Sequence, residues 1–245
     1  MRYGKLLWVS LALATPPALA TAQASPTVVT VHAADGVKVY GDYYPAAHPK
    51  ALILLFHQAG SSKDEYRTIA PRLVRQGFSA LAIDQRSGGS LFGRNETAAG
   101  LGREASYLEA AKDLDAAIAW ARASKLPIVL WGSSYSAALV ILEAAQQPDV
   151  KAVLAFSPGE YLGDPMLVHR AAGKIHIPLF ATSASDPQEV AAARSILAAS
   201  PSAAKQQFVA RHGIHGSSTL LAARDPQGAT DNWAAVEAFL KRTFP

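Results

Sequence analysis

The chain has 245 residues, of which 50% are hydrophobic and 17% charged, which provides one globular domain with a large aliphatic core and little material for a second. Its 23 basic and 19 acidic side chains leave a net charge of +4, without the concentrated basic balance of a nucleic-acid binder. There is no cysteine, which excludes disulfides, thiolate metal sites and a catalytic thiol.

Arg2 and Lys5 precede an apolar run from Leu6 to Thr15, followed by small-residue Ala-x-Ala sites at Ala18 to Ala20 and Ala22 to Ala24. This is the pattern of a secretory signal peptide over residues 1–24, cleaved after Ala24, since the run is too short to span a bilayer. The expected mature domain is 25–245, periplasmic or secreted and not inserted in a membrane after cleavage. Losing Arg2 and Lys5 leaves 21 basic against 19 acidic side chains, so neither a nucleic acid nor a membrane surface is implied as a partner.

Thr27 to Tyr44 alternates in the manner of two strands around Asp35-Gly36, a hairpin signal. Ala51 to Phe56 and Phe78 to Ile83 are continuous aliphatic runs, as in strands buried on both faces of a parallel sheet. Between them, Asp64 to Gln76 has a helical rhythm that stops at Gly77. Asp84 to Gly102 is rich in glycine and reads as a long functional loop, and Glu104 to Ser124 as a helix. Strands and helices then alternate: Ile128 to Ser133, Ala137 to Gln146, Lys151 to Phe156, Pro178 to Ser183, Gln188 to Ala199, Lys205 to Arg211 and Asn232 to Lys241. Such alternation predicts an α/β fold with a mostly parallel sheet and helices on both faces.

The segment Ile128 to Ser136 is an apolar strand that breaks into small polar residues and continues as a helix. A serine at the apex of such a turn is pushed out of the sheet, provided that the residues two before and two after it are small. For Ser134 these are Gly132 and Ser136; for Ser133 they would be Trp131 and Tyr135. Ser134 is therefore the candidate nucleophile. The pattern resembles the nucleophile elbow of the α/β-hydrolase family, Gly-x-Ser-x-Gly, with Ser136 in place of the last glycine.

That resemblance extends over Thr27 to Pro245 and is to compact members similar to dienelactone hydrolases and carboxylesterases. It implies a base after the last strand and an acid after the strand before it. His215, before Gly216, matches the position of the base better than His212. Asp186, just after the strand that ends near Ser183, matches that of the acid, although an Asp before Pro187 also suits a helix cap; Glu160 is its main rival and Asp164 a weaker one. The oxyanion hole is expected from the N–H groups of Tyr135 and Ala59, the latter in His57-Gln58-Ala59-Gly60, which resembles the family's His-Gly-x-Gly. Gln58 either reaches the pocket with its amide or packs the turn. Arg86, Arg94 and Arg103, near the expected pocket, either indicate an anionic substrate, with Arg86 as a pocket residue, or are solvated or structural side chains of the glycine-rich loop. The short stretch between Phe156 and Pro178 leaves no room for a large cap. These features imply a serine hydrolase acting on a small-molecule acyl substrate, ester or amide, that uses no metal or organic cofactor; the rival outside enzymes is a catalytically inactive hydrolase fold used for binding.

Overall fold

The computed structural model describes Met1 and residues 25–245. The expected signal peptide lies outside the described residues.

Eight strands form one sheet: β1 (Thr27–His32), β2 (Lys38–Tyr44), β3 (Leu52–Phe56), β4 (Ser79–Ile83), β5 (Ile128–Ser133), β6 (Val150–Phe156), β7 (Leu179–Thr182) and β8 (Lys205–Phe208). Their order is β1-β2-β4-β3-β5-β6-β7-β8. The hairpin of β1 and β2 is antiparallel and turns at Gly36, whose φ of +83° few other residues adopt. From β4 to β8 every pairing is parallel. Register sets Phe56 beside Gly132, Ser133 beside Phe156, and Phe156 beside Thr182, so the segments leaving β3, β5, β6 and β7 emerge side by side. An open parallel sheet places its chemistry along that edge.

Alternation along the buried strands divides the core in two. Leu52, Leu54, Phe56, Leu81, Ile83 and Leu130 pack on one face against α3 (Ala111–Arg122), α4 (Tyr135–Ala144), α5 (Leu167–Ala172) and α6 (Pro187–Ala199). Ile53, Leu55, Ala80, Val129 and Trp131 pack on the other against α1 (Ile69–Arg75) and α7 (Ala229–Thr243). Trp131 stacks on Phe156 with ring centroids 4.5 Å apart, and its indole N–H donates to the Ser217 hydroxyl at 2.9 Å. The apolar strands thus supply a core on each face of the sheet, as their composition suggests.

Three segments depart from the sequence reading. The stretch 64–76 is broken into a 3₁₀ turn, Lys63–Tyr66, and α1. The glycine-rich segment contains a helix, α2 (Glu96–Leu101), because Asn95 caps it through Ala98 N–H at 2.7 Å. The helix expected from Glu104 begins only with a 3₁₀ turn at Leu108–Ala110, and Leu108 is exposed instead of packed. The link 157–178 between β6 and β7 carries only α5, and there is no large cap among the described residues.

Candidate active site

Ser134 joins β5 to α4 at φ +60° and ψ −124°, a strained conformation held by its N–H to the Phe156 carbonyl at 2.8 Å. The close crossing explains Gly132: a Cβ there would lie 2.3 Å from the Ser136 carbonyl oxygen. Ser136 is small enough for the turn, and its hydroxyl donates to the His57 carbonyl at 2.6 Å, tying the elbow to the segment after β3. The Ser134 hydroxyl lies 2.7 Å from His215 Nε2, and His215 Nδ1 lies 2.8 Å from Glu189 Oε1. A carboxylate only accepts, so Nδ1 carries the proton and Nε2 is the acceptor facing Ser134.

The carboxylate on His215 is therefore Glu189, not Asp186. Asp186 caps α6: its Oδ1 accepts the backbone N–H of Gln188 at 2.9 Å and of Glu189 at 3.2 Å, and its side chain faces solvent. The first carboxylate after β7 is consumed by the helix start, and the one a turn later points back over the sheet edge. Glu160 is likewise a cap, accepting Val168 and His169 N–H at 2.8 Å each, while Asp164 accepts Met166 N–H and pairs with Arg170. The signal for Glu189 was the spacing Asp-x-x-Glu, an N-cap followed by an acid at the third helical position. Glu189 bends to Ala184 N–H and to His215 rather than to the cap's own N–H.

Burial alone would raise the Glu189 carboxyl, but hydrogen bonds from His215 and Ser157 hold it below its ordinary value. The same pairing raises His215 above its ordinary value, against partial burial, with a smaller contribution from Glu65. Ser157, at φ +54°, also accepts Gly216 N–H at 2.9 Å, so one hydroxyl fixes the segment carrying His215 against the end of β6. His212 stands apart in solvent, its carbonyl accepting from Asn232.

The segment after β3 turns beside the elbow. His57 is fully buried, donating from Nδ1 to the Gln58 carbonyl at 2.8 Å and accepting Gln85 N–H at Nε2 at 2.9 Å; burial pushes it down to about 4 and keeps it neutral. Gln58 N–H is taken by Glu65 at 2.9 Å, whereas no partner within the described residues takes Ala59 N–H or Tyr135 N–H at the start of α4. Gln58 packs between segments, its amide nitrogen 3.4 Å from the Ser218 hydroxyl, and does not reach into open space.

Arg86 is not a pocket residue. Its guanidinium is buried between Asp113, at 2.7 Å, and Asp35, at 2.6 Å, joining the loop after β4 to α3 and to the first hairpin. Arg103 pairs with Glu109. A cavity of about 360 Å³ lined by Ala105, Ser106, Tyr107, Leu108, Tyr161 and Leu162 lies against Tyr135, the residue after Ser134. Tyr107 stacks on Tyr135 with ring centroids 4.2 Å apart, and the Tyr161 hydroxyl donates to the Ser157 carbonyl at 3.1 Å, so both walls adjoin residues next to the site.

With this geometry in view, a family model described as serine aminopeptidase, S33, matches residues 47–194. Among solved structures, a dienelactone hydrolase from Anabaena variabilis is similar at a TM-score of 0.72 and 20% identity, covering 91% of this chain and 100% of that one. An esterase from Pyrococcus furiosus is similar at 0.69 and 18%, covering 95% and 96%. A soluble variant of monoglyceride lipase from Saccharomyces cerevisiae is similar at 0.66 and 12%, covering 94% and 100%. No curated protein matches the chain.

Proposed function

The chain belongs to the serine aminopeptidase S33 family of α/β hydrolases, and from that premise we propose that it is a serine esterase with Ser134, His215 and Glu189 as its triad. The observation that carries this reading is the unbroken relay of 2.7 Å and 2.8 Å from the serine to the glutamate, starting at a serine held in a strained elbow. Ser134 Oγ attacks the carbonyl carbon as His215 Nε2 takes its proton, and Glu189 stabilises the resulting imidazolium. The N–H groups of Ala59 and Tyr135 are the donors available to the oxyanion. His215 then protonates the leaving alkoxide, and water, activated by the same imidazole, releases the acid.

The cavity walls support an uncharged substrate. Two tyrosines, two leucines, an alanine and a serine offer apolar contact and no ionic partner, whereas an aminopeptidase has to neutralise a cationic amino terminus. The favoured substrate is an uncharged ester that carries an aromatic or branched aliphatic group. The leader-type residues 1–24 support action outside the cytoplasm.

A fluorophosphonate probe tests the reading. It should label wild-type protein at Ser134 and fail to label Ser134→Ala, which should also lose ester turnover while keeping its melting temperature. Labelling that persists in Ser134→Ala would place the nucleophile elsewhere.

A further inference from the structure

Glu65 has no part in the steps above, yet it is a carboxylate only 1% exposed directly behind the elbow. Its Oε2 accepts Gln58 N–H at 2.9 Å, and its Oε1 accepts the Ser133 hydroxyl at 2.7 Å. Ser133 Oγ in turn accepts Ser217 N–H at 2.8 Å. These links touch three separate segments, each within two residues of a working group: Gln58 precedes Ala59, Ser133 precedes Ser134, and Ser217 follows His215 by two.

Resting on the hydrolase reading above, we propose that Glu65 is a positioning residue, whose carboxylate holds the oxyanion segment, the nucleophile elbow and the histidine segment in one register. A buried charge costs several kcal/mol unless it is fully hydrogen-bonded, so a merely packed position would take an apolar side chain more cheaply. Here each oxygen accepts from a donor, and the ionised carboxylate makes both of these hydrogen bonds stronger than its protonated form would.

Burial raises this carboxyl to about 7. The titratable groups that feel its charge are His215, whose cationic form it favours, and the neighbouring Tyr66, whose hydroxyl donates to the Phe56 carbonyl. The other groups facing it, from the segment after β3 and from β5, are the neutral Gln58, Ser61 and Ser133. The active form then needs Glu65 ionised as well as His215 neutral, and both lose a proton as pH rises.

Glu65→Gln and Ser133→Ala separate this role from simple packing. In Glu65→Gln, Gln58 N–H keeps the amide oxygen, but the amide NH₂ now faces Ser133 Oγ as a donor where the carboxylate accepted, so the Ser133 proton loses its acceptor and the elbow link is weakened. A misplacement of about 1 Å can cost on the order of 100-fold in rate. We expect kcat to fall about 10- to 100-fold, KM to move little, and the fluorophosphonate labelling rate of Ser134 to fall in parallel. The acid limb of kcat/KM should change from a two-proton to a one-proton rise and shift to lower pH. Ser133→Ala cuts the same link without touching the charge, and should lower kcat while keeping the steep limb. Wild-type kcat and an unchanged limb in both variants, whatever their melting temperatures, would overturn the proposal; if Glu65→Gln does not fold, Ser133→Ala decides alone. No labelling of the wild type would instead overturn the hydrolase reading.

Discussion

Asp186 Oδ1 accepts the backbone N–H of Glu189 at 3.2 Å, so the aspartate that the sequence marks as the acid holds in place the glutamate that contacts His215. One residue starts the helix, and the other, a turn further in, reaches the imidazole.

The two roles separate by mutation. Glu189→Gln should lower kcat by a factor of order 10⁴, the cost of losing the carboxylate in a related triad. Asp186→Ala should keep most activity and lose about 1 kcal/mol of stability, as the removal of an N-cap does. Glu160→Gln should leave kcat unchanged. Steady-state kinetics and denaturant melts on the three variants check this; a large kcat loss in Asp186→Ala with Glu189→Gln active would restore the aspartate.

The pH dependence follows from His215. Its hydrogen bond to Glu189 favours the imidazolium and raises its ionisation, so more base is needed to expose the neutral Nε2. The rise of kcat/KM with pH should therefore centre above the unperturbed histidine value of about 6.5. NMR titration of the His215 ring should show the same displacement, and in Glu189→Gln it should move to lower pH. An unshifted ring in Glu189→Gln would mean that the contact does not set the ionisation.

For Arg86 the expectation concerns stability instead of specificity. Its removal leaves Asp113 buried with no counter-charge, a loss of about 3–5 kcal/mol for a broken buried pair. Arg86→Met should melt well below wild type, and any folded fraction should keep the wild-type preference between neutral and anionic esters. A selective loss of anionic substrates would return Arg86 to the pocket.

On the outer layer, burial raises Glu143 on α4 to about 8, with the Asp115 charge adding to the effect. A raised folded value means stability that is full below the unfolded value of about 4.5 and is lost as pH rises through about 8. Glu143→Gln should flatten that decline, so that its advantage over wild type grows between pH 5 and 8. Urea melts across this range test it, and parallel stability curves for the two proteins would refute it.

The strands were legible because aliphatic runs such as 52–56 and 128–131 have no other place than a two-sided sheet. Ser134 was legible because its turn constrains its neighbours, and Gly132 and Ser136 satisfy that constraint locally. His215 follows from chain order. The acid did not, since a carboxylate's reach depends on how far the helix has turned, and Asp186 and Glu189 differ by that turn. Arg86 and Glu65 were opaque for a related reason: their partners Asp113 and Ser133 lie 27 and 68 residues away, and sequence shows a charge without what surrounds it.

Ser134 and Glu189 follow β5 and β7, strands paired on both sides, whereas His215 follows β8, four residues long and at the margin of the sheet. Margins open at lower free energy than the interior. The proposed base, His215, thus stands on the part of the molecule that frays first, and the proposed nucleophile on a part that frays late. On warming, the enzyme should fall silent while its fold is still largely intact, and recover on cooling, as a machine disengaged rather than broken.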